Sequence, residues 1–410
     1  MSTASLRGQV APIFVALAVI AVVWLLPDVR PDPADVGLSP VTAERGVVVA
    51  IEPVEPDPDD PFAEAQGPLI VRLVDGARGG EELRAFVGLP STQATAEDFR
   101  VGDEVVVTFT EQADGPAFVA VSERWRLPVM ALLVIAFAGA IVAVGGWRGL
   151  RALVALALTV ALVVKILVPA ILEGMPPVPL AVGLAGIITV ATILLTEGLG
   201  RTSLAAILGT VGGLGVTAVV SALVGDAAAF SGAPAGEIAF LELPSGDALD
   251  VRGLLLAAII LGAVGVLDDV TVSQAATVEE LAAATRLRSV ALWQRALRVG
   301  RSHIAATVNT LFMAYVGASL PLIVFLALSA EPTLLTLDRE ALALEVVRTL
   351  AGGLGIVAAM PLTTAIATLF VNAHPPTLQT HPAEPDEREM QELVMDRPRG
   401  MRRRGSLRRR

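Results

Sequence analysis

The chain has 410 residues, 54% of them hydrophobic and only 17% charged, with a mean hydropathy of +0.69 and a formal net charge of −11. That composition lies outside the soluble range and marks an integral membrane protein, so the lipid bilayer is its first partner. With no cysteine and only three scattered histidines, disulfides, thiol nucleophiles, thiolate metal sites and a zinc or iron cluster are excluded.

A hydrocarbon core about 30 Å thick needs roughly 20 apolar residues as a helix. Eight such runs occur: Val10 to Leu26, Leu127 to Gly145, Ala152 to Leu172, Val178 to Leu199, Ser203 to Val224, Val251 to Gln274, Ile304 to Leu328 and Leu344 to Phe370. The expected fold is therefore an α-helical polytopic membrane protein of about eight transmembrane helices, with a small extracytoplasmic β domain inserted between helices 1 and 2. Residues 1–26 read as a signal anchor. The segment after them, "WLLPDVRPDP", lacks the small-x-small site of a cleaved signal peptide.

Residues 27–126 begin as a linker rich in proline and acid, then alternate as strands do. "GVVVAIEP", "PLIVRLVD", "ELRAFVGL" and "DEVVVTFT" are separated by turns such as Asp75-Gly76 and Gly102-Asp103. Four or five short strands suggest an OB-like barrel or a sandwich. Its 20 carboxylates against 8 basic residues argue against nucleic acid as a partner.

Residues 127–372 form the predicted seven-helix membrane domain. Arginine fixes its expected orientation: Arg7, Arg148 and Arg151, Arg201, the group Arg286, Arg288, Arg295, Arg298 and Arg301, and the terminal "RPRGMRRRGSLRRR" all fall on one side of an eight-span alternation. That side is the expected cytoplasm, with both termini inside. Residues 373–410 read as a disordered cytoplasmic Arg-rich tail. Between the sixth and seventh runs, Val290, Trp293 and Leu297 share one helical face and Arg288, Arg295 and Arg298 another, predicting a surface helix.

Several polar residues interrupt the apolar runs. Asp268 and Asp269 lie about 25 Å along the sixth run at about 1.5 Å per residue. Gly262, Gly265 or Val266, Asp269, Ser273, Thr277 and Glu280 recur at steps of three and four, while Asp268 points about 100° away, beside Thr271 and Ala275. Either the stripe lines an ion or solute pathway, or the span ends at Leu267 and the aspartates cap a hydrated extension. Lys165 either snorkels or pairs inside the bundle, and Glu197 has the i, i+4 spacing for an ion pair with Arg201. In the seventh run stand Thr307, Asn309, Thr310 and Tyr315; the Asn309 amide serves helix packing or a ligand.

"GGLG" occurs twice, once with Gly212, Gly213 and Gly215 and again with Gly352, Gly353 and Gly355, followed by Pro361. Two readings stand: helix breaks at matching positions of a 3+3 inverted repeat over 152–224 and 251–370, or close glycine packing between helices.

"TEGLGRTSLAAILGT", "LGAVGVLDDVTVSQ", "TVNTLFMAYVGASLPL" and "LEVVRTLAGGLGIVAAMPLTTAIA", in this order, resemble the YibE/F-like family of bacterial membrane proteins, especially actinobacterial members. The likeness extends over roughly residues 40 to 372, the β domain matching only in general pattern. Many members carry one aspartate where this chain has two. The resemblance implies a multi-pass plasma-membrane protein of a kind usually regarded as a permease.

The expected function is a secondary transporter or permease for an ion or small solute, with Asp268 or Asp269 as the proton or cation site and Ser273, Asn309, Thr310 and Tyr315 as neighbours. The alternative is a non-transporting scaffold or accessory subunit that presents the β domain to an envelope protein; a homo-oligomer fits either reading. Enzyme chemistry is not expected. Adjacent aspartates on one helix diverge rather than converge as a protease dyad must, and no G-x-x-x-x-G-K-[ST] loop exists for a nucleotide-driven pump. No cofactor is expected, and the sequence names no metal.

Overall fold

The protein is described by a computed structural model covering residues 13, 16–25, 41–52, 68–76, 78–87, 98–110, 118–231, 250–285, 287–328 and 332–373. The acidic linker before residue 41, Arg7, Arg286 and the Arg-rich tail lie outside the described residues.

Five strands, β1 (Val41–Ile51), β2 (Pro68–Leu73), β3 (Glu82–Val87), β4 (Glu104–Thr110) and β5 (Phe118–Arg124), close into a barrel in the order β1-β2-β3-β5-β4. Neighbours are antiparallel except β3 and β5, which run parallel with Phe86 opposite Ala120. The alternation explains the closure. Leu69, Val71 and Leu73, Ala85 and Val87, and Val105, Val107 and Phe109 all turn inward and are buried. Arg72 and Arg84, between them, stay outside and pair with Glu82 and Glu52 at 2.7 and 2.8 Å. Gly76 and Gly102 take the predicted turn positions with φ of 96° and 97°, a region where a side chain is strained. Of the two predicted architectures, the barrel forms.

The helices are α1 (Ala16–Leu25), α2 (Leu127–Leu162), running on through a π turn at Val163–Leu167 into α3 (Val168–Leu172), α4 (Pro177–Thr196), α5 (Arg201–Ala227), α6 (Val251–Ala284), α7 (Ser289–Ala318), α8 (Leu320–Ala327), α9 (Thr333–Asp338) and α10 (Glu340–Ala373). Among the described residues, five elements are long and apolar enough to cross a membrane: Leu127–Leu172, α4, α5, α6 and α10. A sixth is counted if α7 and α8, bent by 60°, form one span. The bend falls where Pro321, lacking an N–H, opens α8.

The expected eight spans are thus corrected to five or six candidate elements among the described residues. The second and third predicted runs fall on the two limbs of one 46-residue element, and the described part of the first is a helix of Ala16–Leu25, about 15 Å long. Among the described residues, the barrel therefore precedes the helices long enough to span and is not inserted between two of them. The long element is sharply broken, however, at Gly146, whose φ of 54° and ψ of −130° are not helical. Beyond the break the chain doubles back, since a Cβ on Gly149 would overlap the carbonyl of Ile141, which in a straight helix lies about 12 Å away along the axis.

Packing is centred on α6, which touches α4, α5, α7 and α10 and buries Ile259, Ile260, Ala263 and Leu267 completely. The two GGLG segments meet where α5 crosses α10. A Cβ on Gly213 would lie 2.7 Å from the Ala359 Cβ and 2.9 Å from the Gly355 carbonyl oxygen. These glycines and Pro361 do not break their helices, so the helix-break expectation gives way to close packing. Beside Pro361, the Thr363 and Thr364 hydroxyls donate to the Ala359 and Met360 carbonyls at 2.7 Å.

Two smaller expectations also change. The predicted surface helix is the first half of the continuous α7, and it buries Leu292, Ala296 and Gly300 instead of the Val290 face. Glu197 and Arg201 do not share a helix, because α4 ends at Thr196 and Gly198, with φ of 84°, turns the chain between them.

Candidate functional site

Asp268 and Asp269 sit midway along α6, which continues to Ala284 with Val270, Thr271, Gln274, Ala275 and Val278 buried. The aspartates neither end nor cap this helix. Asp268 faces α4: the Thr189 hydroxyl donates to one carboxylate oxygen and the Thr192 hydroxyl to the other, each at 3.1 Å. An ionised carboxylate within a span costs about 2.5–3.5 kcal/mol on the insertion scale. A hydrogen bond to a charged group contributes about 1.5–3 kcal/mol. Two hydroxyls are therefore enough to hold the carboxylate in place.

The two hydroxyls differ in what else they reach. Thr192 Oγ1 is also 2.8 Å from the Ile188 carbonyl oxygen, the usual back-bond of a helical threonine. Its single proton serves either the carboxylate or its own helix. On the α5 side, the Thr210 and Thr271 hydroxyls are 2.6 Å apart, and Thr271 donates to the Asp268 carbonyl at 3.1 Å. Threonines of α4 thus hold the Asp268 carboxylate, and a threonine pair ties α5 to the Asp268 backbone.

Asp269 points elsewhere. It is exposed on the protein and, with Ser273, borders two open crevices. One, of about 720 Å³, reaches past Asp268, Thr192, Thr196 and Glu197 to Arg148 beside the Gly146 break. The other, of about 360 Å³, follows the seam between α6 and α7, with Val266 and Asp269 on one wall and His303, Thr307, Thr310 and Ala314 on the other. Carboxylates and hydroxyls along these walls are groups that bind a hydrated cation or pass a proton.

Of the predicted site residues, Asp268, Asp269, Ser273 and Thr310 come together here. Asn309 is exposed on α7 and borders neither crevice. Tyr315 lies beyond the end of the smaller crevice, its hydroxyl against Gly262. Gly213 and Gly355 belong to the α5–α10 crossing, and Lys165 stands 5.1 Å from the centre of the Trp24 ring. Thr189, Thr192, Thr210 and His303 are the members that spacing within the sixth run does not reveal. Among the described residues, no group of three or more His, Asp or Glu is arranged to hold a metal ion.

The YibE/F-like protein family matches residues 133–373, more than half of the chain. The chain belongs to that family. The matched segment contains both aspartates, all four threonines around Asp268, both crevices and both GGLG segments; the barrel lies before it. No curated protein and no solved structure matches the chain.

Proposed function

We propose that this YibE/F-like protein is a secondary permease for a small ion or solute, with Asp268 as the site where a proton and a cation replace one another and Asp269 as the group that delivers them from the crevices. One observation carries this reading: a carboxylate within the bundle is held by two hydroxyls, and one of these has a second acceptor on its own helix. When a proton or cation neutralises Asp268, the Thr192 hydroxyl has the Ile188 carbonyl to return to. Release of that charge draws it back.

The proposal places the arginine-bearing ends of the helices in the cytoplasm. Arg148, the start of α5 at Arg201 and the first half of α7, with Arg295, Arg298 and Arg301, lie at the end of the bundle that contains Ser273 and His303. The end of α10 is there too, since Asn372 accepts from the backbone N–H of Ser289. Because α2 starts at the other end, the barrel that feeds it faces the extracytoplasmic space.

The test is flux. In proteoliposomes with a pH-sensitive dye inside and a panel of mono- and divalent cations outside, wild-type protein should move protons in response to a cation. Asp268→Asn with Asp269→Asn should abolish the movement while leaving the protein monodisperse. Undiminished flux in that double variant removes the aspartates from the mechanism. A second reading, a scaffold that presents the barrel to an envelope partner, draws on the barrel's own core and its place outside the matched segment. It requires that deleting residues 40–123 remove the protein's cellular effect while the aspartate substitutions leave it intact.

A further inference from the structure

The smaller crevice has a definite end. Its α7 wall descends through His303, Thr307, Thr310 and Ala314, and its α6 wall through Ser273, Asp269 and Val266. The next α6 position on that face, one helical turn beyond Val266, is Gly262. There the seam is filled: a Cβ on Gly262 would lie 2.6 Å from the hydroxyl oxygen of Tyr315, the residue that follows Ala314. Tyr315 is the only tyrosine in the chain.

The ring is held from α10. The Arg348 guanidinium carbon lies 5.9 Å from the ring centre, close enough for a cation–π contact. Arg348 is in turn fixed by Glu345 at 2.6 Å, both side chains being only about a fifth exposed. The other Glu345 oxygen is buried with no hydrogen-bond partner among the described residues. One turn past Tyr315, at Ser319, α7 bends by 60° into α8.

The geometry points to Tyr315 as a gate: its side chain, seated on Gly262 and latched by Arg348 and Glu345, closes the Asp269 crevice at the end remote from Ser273. The inference rests on the permease reading, in which a pathway to Asp269 must be shut from one side. Opening is a rotation of the Tyr315 side chain off Gly262, with the α7–α8 joint as the adjacent bend. Tyr315 is then a positioning residue for the pathway and does not bind the cargo.

The absence of native cysteine makes the test direct. Val266→Cys places one thiol inside the crevice, one turn short of the gate. In sealed vesicles of either orientation, a membrane-impermeant cationic methanethiosulfonate reagent should modify this thiol only from the Ser273 side. In the Tyr315→Ala background, modification from the opposite side should rise from background to the rate measured on the near side. Tyr315→Phe, which keeps the ring, should stay one-sided. If Tyr315→Ala does not fold, Arg348→Gln, which removes the cation that holds the ring, should raise the same modification. Modification from both sides with Tyr315 and Arg348 in place, from one side only after Tyr315 is removed, or from neither side overturns the gate. The thiol reaction needs no cargo, so it fails or succeeds independently of the flux experiment.

Discussion

Thr192 has one hydroxyl proton and three acceptors for it, the Ile188 and Thr189 carbonyls and Asp268, whereas the Thr189 hydroxyl donates to Asp268. Removing the Thr189 hydroxyl leaves a carboxylate oxygen short of a donor within a span. Thr189→Val should therefore lower stability by about 1–3 kcal/mol, read as thermal unfolding in detergent. In an Asp268→Leu background the same change should cost close to nothing, and a coupling near zero in that double-mutant cycle would mean the hydrogen bond does not hold the carboxylate. At this scale the sequence was only partly legible. Spacing along α6 shows that Asp268 and Asp269 diverge and puts Ser273 with Asp269. It does not show which direction faces a partner, because the threonines that answer Asp268 stand about 80 positions away on α4, among many threonines in apolar runs.

At the scale of elements, the strands and most of the helices were readable from period and from turn glycines. The reversal at Gly146 falls between the second and third predicted runs, but the backbone conformation that makes it was not readable. Hydropathy counts apolar residues and carries no signal for a single residue with positive φ. Two glycines separate that backbone requirement from simple propensity. Gly146 (φ 54°) and Gly215 both have open space where a Cβ would go, but only Gly146 has a positive φ. Gly146→Ala should cost about 1–3 kcal/mol through backbone strain. Gly215→Ala should stabilise α5 by up to about 1 kcal/mol, since alanine is the better helix former. Equal shifts in melting temperature for the two would refute the strained turn. The glycine repeat was equally visible beforehand, but its two readings were separable only once α5 and α10 were seen to cross at Gly213 and Gly355.

For the whole molecule, the barrel and the helical bundle have separate cores. The barrel's buried cluster, from Val48 to Val121, draws only on barrel residues, and the helical clusters draw only on the helices and the turns beside them. Two cores without shared side chains unfold without a common penalty. Calorimetry of the full chain should show two transitions, and deletion of residues 40–123 should remove one and leave the other in place; a single merged transition would mean the two parts are coupled. This separation also fits the extent of the family match, which begins inside α2. The sequence conveyed the division because period 2 gives way to unbroken apolar runs near Leu127.

The α5–α10 crossing has a mechanical consequence. Where Gly213 meets Gly355, backbone lies against backbone, and the buried Thr217, Leu267 and Ala359 side chains close around the contact, leaving little room for one helix to slip past the other. The pair acts as a keel, and whatever rearranges when the protein changes state must do so around it: the α7–α8 joint on one side and the Gly146 turn on the other. Hydrogen–deuterium exchange should map this division, with amides near Gly213 and Gly355 among the last to exchange and those flanking Ser319 and Gly146 among the first. A ballast of small residues, which looks in the sequence like an absence of information, then fixes which parts of the molecule are free to move.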